Sequence, residues 1–185
     1  MADIIHKLKH NARILHRNIT TGKQASLAFI KKNPDFKNLS DLEIIETVKR
    51  KHCLSQIAKA LGFKGWSHLS QIIQMDSVPA PTNERTELDY GKLLCPPRCM
   101  PYTNFWTVFY PEAKEHRDQT NGYLLTYGTQ FLVTEQDYIE TLGLDPKDAD
   151  WDLIGYDWAN PENTEARDRL YQKLITRNLK DQVWL

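Results

Sequence analysis

The sequence predicts an α+β fold: an N-terminal helical bundle followed by a small, mostly antiparallel sheet with flanking helices. Three observations predict it. Apolar residues recur at three- and four-residue steps from Ile4 to Ile73, the period of helices packed on one face. Short runs of aromatic and β-branched residues, the composition of strands, begin only at Phe105. Between them, Asp76 to Thr86 is polar and proline-containing, which is linker composition. The expected division is a basic helical domain over residues 1–76, a linker over 77–86 and an acidic α+β domain over 87–185.

The first helix carries Ile4, Ile5, Leu8, Ala12, Leu15 and Ile19 on one face and basic residues on the other, until Thr20-Thr21-Gly22 interrupts it. A short helix through Leu27, Ala28 and Ile30 follows. Asn33-Pro34 closes it, because the residue before a proline avoids helical angles. Ser40 opens another helix by reciprocal capping with Glu43, with Leu42, Ile45 and Val48 as its apolar stripe. Two more helices, Leu54 to Leu61 and Trp66 to Met75, are joined by a turn at Gly62. The strands expected are Phe105–Tyr110, Tyr123–Tyr127 and Gln130–Thr134, the last two joined by a Gly128-Thr129 hairpin. Pro111 starts a charged helix ending near Gln119, and Asn121-Gly122 turns the chain. Thr134 is expected to cap a helix that stops at Gly143, and Asn160-Pro161 to cap the final helix through Ala166, Leu170 and Leu174.

Composition narrows the function classes. Among 185 residues, 41% are hydrophobic and 26% charged, which fits a folded chain and not a disordered one. No apolar run approaches the roughly 18 residues of a membrane span, and the first residues lack a signal-peptide pattern. A cytoplasmic protein without membrane partners is expected. The three cysteines Cys53, Cys95 and Cys99 are an odd number, so reduced thiols are expected, and Cys95-Pro-Pro-Arg-Cys99 has no second ligand pair for zinc. Zero net charge conceals an asymmetry. Residues 1–76 hold 13 Lys+Arg against 6 Asp+Glu, or +7, and the remainder 11 against 18, or −7. A basic part beside an acidic one fits polyanion binding restrained by the acidic part, and equally fits attraction between the parts, within one chain or in a dimer.

The most specific local pattern runs from Leu54-Ser-Gln-Ile-Ala-Lys-Ala-Leu-Gly-Phe63 through Lys64-Gly-Trp-Ser-His-Leu-Ser-Gln-Ile-Ile73. Ala58 lets two helices cross closely, Gly62 permits the turn, and Lys64, Ser67, His68 and Gln71 face outward, where they can reach phosphates or base edges. The stretch resembles one helix-turn-helix unit of AraC-type transcription regulators, a family that carries two. With Trp66 it also resembles a short helical module of bacterial glyoxalase-superfamily proteins. The first resemblance implies DNA contact by those four residues. Against it, Trp66 is large and apolar, suited to capping a helical core.

Other candidate constellations are weaker. Asp3, His6 and His10 share one helical face at metal-ligand spacing, on an end prone to fraying. Asp148, Asp150 and Asp152 alternate as in a calcium loop, but Leu153 stands where glycine is needed and Ala159 where glutamate is needed, which excludes an EF-hand. His116 lies near Glu112 and Glu115, and His52 adjoins Cys53, but adjacency does not supply catalytic geometry. No phosphate loop, dinucleotide fingerprint, zinc-protease helix or nucleophile elbow occurs, so neither cofactor nor metal is expected. Strand, helix and hairpin from Phe105 to Thr134 partly follow the repeating unit of glyoxalase folds, without a second copy or the metal-binding histidines. Dense aromatics, from Tyr102 to Trp158, are expected to send about half of each strand inward. The leading expectation is a non-enzymatic binding protein whose helical part contacts DNA or a protein partner. One alternative is a small enzyme or ligand-binding domain with a pocket lined by Tyr123, Tyr127, Tyr156 and His116. The other is a homo-oligomer pairing basic with acidic surfaces.

Overall fold

The computed structural model describes residues 2–75 and 85–180, with side chains from Ile4 onward. The expected linker lies outside the described residues except for Arg85 and Thr86. The fold is α+β: nine α-helices and one three-stranded antiparallel sheet occur among the described residues. No helix there is long and apolar enough to cross a membrane. Contacts divide the chain into two compact units, residues 1–70 with 175–185, and residues 71–174. The first unit holds 15 Lys+Arg against 6 Asp+Glu, a net +9, and the second 9 against 18, a net −9.

In the helical unit, α1 (Ala2–Thr20) is the central helix, packed by α2 (Gln24–Ile30), α3 (Asp41–Thr47) and α4 (Arg50–Ala60). Ile4, Leu8, Ala12, Leu15 and Ile19 are fully buried along its inner face. Each of the four leucines and isoleucines removes enough apolar surface from water to contribute about 1.5–3 kcal/mol before the entropy of ordering is subtracted, and Ala12 contributes less. The α2 segment buries Phe29 rather than Ala28, and Asn33 begins a short 3₁₀ turn, accepting from the Asp35 amide. Ser40 and Glu43 form the reciprocal cap of α3. Its apolar stripe is not the one expected: Leu42 is 73% exposed, whereas Ile44 and Val48 are buried. Helical geometry puts positions 44 and 48 on one side and 42 nearly opposite, so only one pair of a seven-residue helix can face the core. α4 starts at Arg50, earlier than the apolar pattern indicates, and is closed by Leu61 and Gly62, the latter at φ +87°. There the Phe63 amide donates to Ala58 O and the Gly62 amide to Lys59 O, the double bond pattern that favours glycine. α5 (Trp66–Ile73) follows.

In the second unit, β1 (Phe105–Thr107), β2 (Tyr123–Tyr127) and β3 (Gln130–Thr134) pair in the order β1-β3-β2. β1 is shorter than expected because the Thr107 hydroxyl accepts from the Phe109 amide and donates to Glu112, turning the chain into α6 (Tyr110–Thr120) with Pro111 in its first turn. Gly128 makes the β2–β3 hairpin, Tyr127 pairing with Gln130. The expected half-in, half-out alternation fails: Tyr123 to Thr126 and Phe131 to Thr134 are all buried. Both faces are covered, and beyond β2 the Leu124 amide donates to Tyr156 O while Leu124 O accepts from Trp158. Thr134 belongs to β3, so the residue preceding α7 (Gln136–Leu142) is Glu135, and α7 ends at Gly143, φ +98°. α8 spans Ala149–Leu153 and α9 Thr164–Lys180. The cap of α9 is Asn163, whose side chain accepts from the Ala166 amide, not Asn160, whose backbone N–H donates to Asp157 Oδ1.

Candidate functional site

The outward face of α1 is cationic. Lys9, Arg13 and Arg17 follow one another at four-residue steps, all exposed, with His6 and His10 beside them. Residues 4–34 contain seven Lys+Arg and no acid. Of the four acids in residues 35–46, Asp41 pairs with Lys31 at 2.6 Å and Glu43 caps α3. Lys7 is diverted to the Thr176 hydroxyl at 2.8 Å. Another exposed basic run, Lys49-Arg50-Lys51, opens α4. Asp3, the third member of the expected metal face, has no described side chain, and His6 and His10 face solvent.

The α4–α5 hairpin holds the four residues read as DNA contacts. Ser67 and Gln71 are exposed one turn apart on α5, and Lys64 is exposed in the bend that precedes it. His68 is half-buried, its Nδ1 accepting from the Lys64 amide at 3.1 Å and its ring packed edge-on against Phe63 at 5.6 Å. That nitrogen serves the start of α5 and is not available to a base edge. Leu69, Ile72 and Ile73 are buried and Trp66 is half-buried.

The second unit contains a cleft of about 470 Å³, lined by Arg117, Asp118, Asn121, Gly122, Tyr123, Gly155 and Tyr156. Among the described residues, two non-glycine residues have positive φ, Asn121 at +52° and Tyr156 at +55°, and both line this cleft beside Gly155 at +65°. Asparagine tolerates this geometry at a helix end, but tyrosine does not, at a cost on the order of 1–3 kcal/mol. Tyr156 is held there by its backbone bonds to Leu124 and Trp151 and by its hydroxyl, which donates to Asp152 at 2.5 Å. The Asp152 bond, then burial, pushes the Tyr156 phenol up to about 12, so it stays protonated at neutral pH. Tyr123 and Tyr156 meet edge to face with centroids 5.2 Å apart. Below them, Asp157 is 3% exposed, accepting from the Tyr110 hydroxyl at 2.6 Å and lying 3.6 Å from Arg117. Burial raises the Asp157 carboxyl above its ordinary value despite these partners.

Of the four tyrosine and histidine positions read as a pocket lining, Tyr123 and Tyr156 meet in this cleft, while Tyr127 and His116 lie elsewhere. Tyr127 packs edge-on against Trp106 at 5.7 Å, and His116 stacks on Phe105 at 4.2 Å. Arg117, Asp118 and Gly155 carried no sequence signal, because sites assembled from a helix end and a distant loop have no spacing to read. Asn121-Gly122 was legible only as a turn.

The remaining candidates have structural roles. Asp148 pairs with Lys173, Asp150 with Arg169 and Lys173, and Asp152 with Tyr156, so the alternating acids fasten α8 to α9 and to its following loop. His52 Nδ1 accepts from the Lys49 amide, and burial pushes the Cys53 thiol up to about 12, which leaves no activated nucleophile. Cys95 and Cys99 are free and buried around the 3₁₀ turn Pro97–Cys99, beneath Tyr138. No group of three or more His, Cys, Asp or Glu side chains placed to hold a metal ion occurs among the described residues. No family model, curated protein or solved structure matches the chain.

Proposed function

We propose that the helical unit binds a polyanion, nucleic acid being the partner its surface fits best, and that the protein acts by binding rather than catalysis. The observation that carries this reading is the exposed row Lys9, Arg13 and Arg17 on α1, in a stretch of 31 residues, 4–34, that has no acid. At 1.5 Å per residue the row is about 12 Å long, the axial span of three to four phosphates of one strand. Lys64 and Ser67 of the same unit add exposed polar side chains suited to phosphate or base-edge contact. The net +9 of the unit attracts a polyanion, and the −9 of the second unit limits indiscriminate attachment.

The test is a fluorescence-anisotropy titration of duplex DNA against the full chain between 50 and 200 mM salt. Three phosphate contacts predict a log–log salt slope of about −2.7, or roughly fortyfold weaker binding across that range. Arg13→Ala with Arg17→Ala reduces the slope to about −0.9. No binding at 50 mM salt, or binding indifferent to salt, removes the reading. The charge separation also supports self-association of basic with acidic surfaces. In that case the unliganded chain sediments as an oligomer at low salt and as a monomer at high salt.

A further inference from the structure

We propose that the cleft between the end of α6 and the loop after α8 is a binding site for a small organic cation, an ammonium group on an alkyl or aryl stem. The proposal is independent of the polyanion reading, since every residue involved belongs to the second unit.

The cleft contains a guanidinium, yet it is not an anion receptor. Arg117 Nε and Nη2 both donate to Asp118 Oδ1, at 2.9 and 2.5 Å, and Nη1 donates to Gly155 O at 2.6 Å. Asp157 stands on its other side at 3.6 Å. Two carboxylates, Asp118 and Asp157, therefore flank one guanidinium, and Asp152 is bonded to the Tyr156 hydroxyl, so an incoming anion meets repulsion and a cation meets attraction. The −9 of the unit adds to that field.

The acceptors left over suit an ammonium. Asp118 is 54% exposed, and its second oxygen accepts from no described residue. The Asn121 amide, three residues on, is likewise exposed and uncommitted to any described residue. An ammonium has three donors and no acceptor, so it is satisfied by a carboxylate oxygen and an amide oxygen while its stem lies on an aromatic ring. Tyr156, half-exposed, supplies the ring, and Tyr123, set edge-on to it, closes the wall. A neutral polyol lacks the charge to use Asp118, and Gly122 contributes no side chain that would narrow the space.

The recognition groups are also held in place before any ligand arrives. Asn121 and Tyr156 occupy the left-handed region, with Gly155 between Tyr156 and α8 doing the same. Arg117 fixes both Asp118 and the Gly155 carbonyl, so the two sides of the cleft are tied through one side chain. Backbone geometry that is unfavourable for a tyrosine, kept at the wall of a cavity large enough for a small molecule, is the pattern of a ligand clamp.

The test is calorimetric titration of the full chain with spermidine at about 150 mM salt, beside sorbitol and glutarate as neutral and anionic controls. Spermidine is expected to bind at one site, and the controls not to bind. Asp118→Asn is expected to weaken binding about tenfold, the loss of one charge-assisted contact. Because that change also loosens Arg117, Asn121→Gly provides a second reading. Glycine is at ease at positive φ, so the variant keeps its melting temperature while losing the amide acceptor and several-fold in affinity. Undetectable spermidine binding overturns the proposal, as does binding that both variants leave within about twofold, which marks a diffuse acidic surface. Equal binding of sorbitol or glutarate overturns it as well.

Discussion

Replacing Tyr110 by phenylalanine isolates one bond at the centre of the second unit. Tyr110 is 6% exposed and donates its hydroxyl to Asp157 Oδ2 at 2.6 Å, and Asp157 is 3% exposed. Phenylalanine fills the same space, so packing changes little and the loss is that of a buried hydrogen bond to a charged group, about 1.5–3 kcal/mol. The Asn160 amide and Arg117 remain as partners, which keeps the cost below that of stranding a carboxylate outright. With an m-value of about 2 kcal/mol/M, the urea midpoint falls by roughly 1 M. The effect also has a signed pH dependence. Burial raises the folded-state pKa of Asp157, so keeping it charged in the folded state already opposes folding above the unfolded value of about 3.9. Removing the hydroxyl raises the folded pKa further. The penalty of Tyr110→Phe is therefore largest at neutral pH and shrinks as pH falls through the raised folded-state pKa, where the buried Asp157 takes up its proton. Urea unfolding followed by tryptophan fluorescence at pH 7 and pH 4.5 measures it, since Trp106, Trp151 and Trp158 lie in this unit. A midpoint shift below about 0.2 M at pH 7, or a penalty that grows on acidification, refutes the reasoning.

Two further predictions concern packing and reactivity. A Cβ at Gly122 would lie 2.9 Å from both Thr134 O and Val133 Cγ1, and backbone cannot give way. Gly122→Ala is expected to cost about 1–3 kcal/mol, lowering the melting temperature by roughly 2–12 °C, and an unchanged melt would contradict it. Burial pushes Cys53 up to about 12 and Cys99 up to about 11, and Cys95 is buried beside Met100. A disulfide reagent at pH 8 should therefore label the folded chain slowly and all three thiols at once in urea, and rapid labelling of the native protein would show that these sites open.

Local chemistry was legible wherever neighbours in sequence are neighbours in space. Ser40 and Glu43 cap α3 through mutual side-chain bonds, Pro111 sits in the first turn of α6, and Gly143 ends α7, each from a rule spanning a few residues. Misreadings arose where tertiary packing chose between local options. Leu42 and Ile44 are equally apolar, and the core takes Ile44. Asn160 and Asn163 are equally good caps, and α9 begins at Thr164, which places Asn163 at the cap. Alternation in β2 and β3 gave way because both faces are covered, which a strand's own residues do not reveal. The basic outer face of α1 could be read directly from its period. The cleft could not: Arg117 and Gly155 are 38 positions apart and meet through a side chain-to-backbone bond.

The central claim is that the cations on the outer face of α1 engage a polyanion. The anisotropy titration of duplex DNA at two salt concentrations, repeated with Arg13→Ala and Arg17→Ala combined, tests it most directly. These arginines are exposed and outside the core, so the variant should fold as the parent does. The account predicts binding that weakens roughly fortyfold between 50 and 200 mM salt and a slope shallower by about 2 in the variant. Parent and variant binding with the same slope, or neither binding at 50 mM, would contradict it.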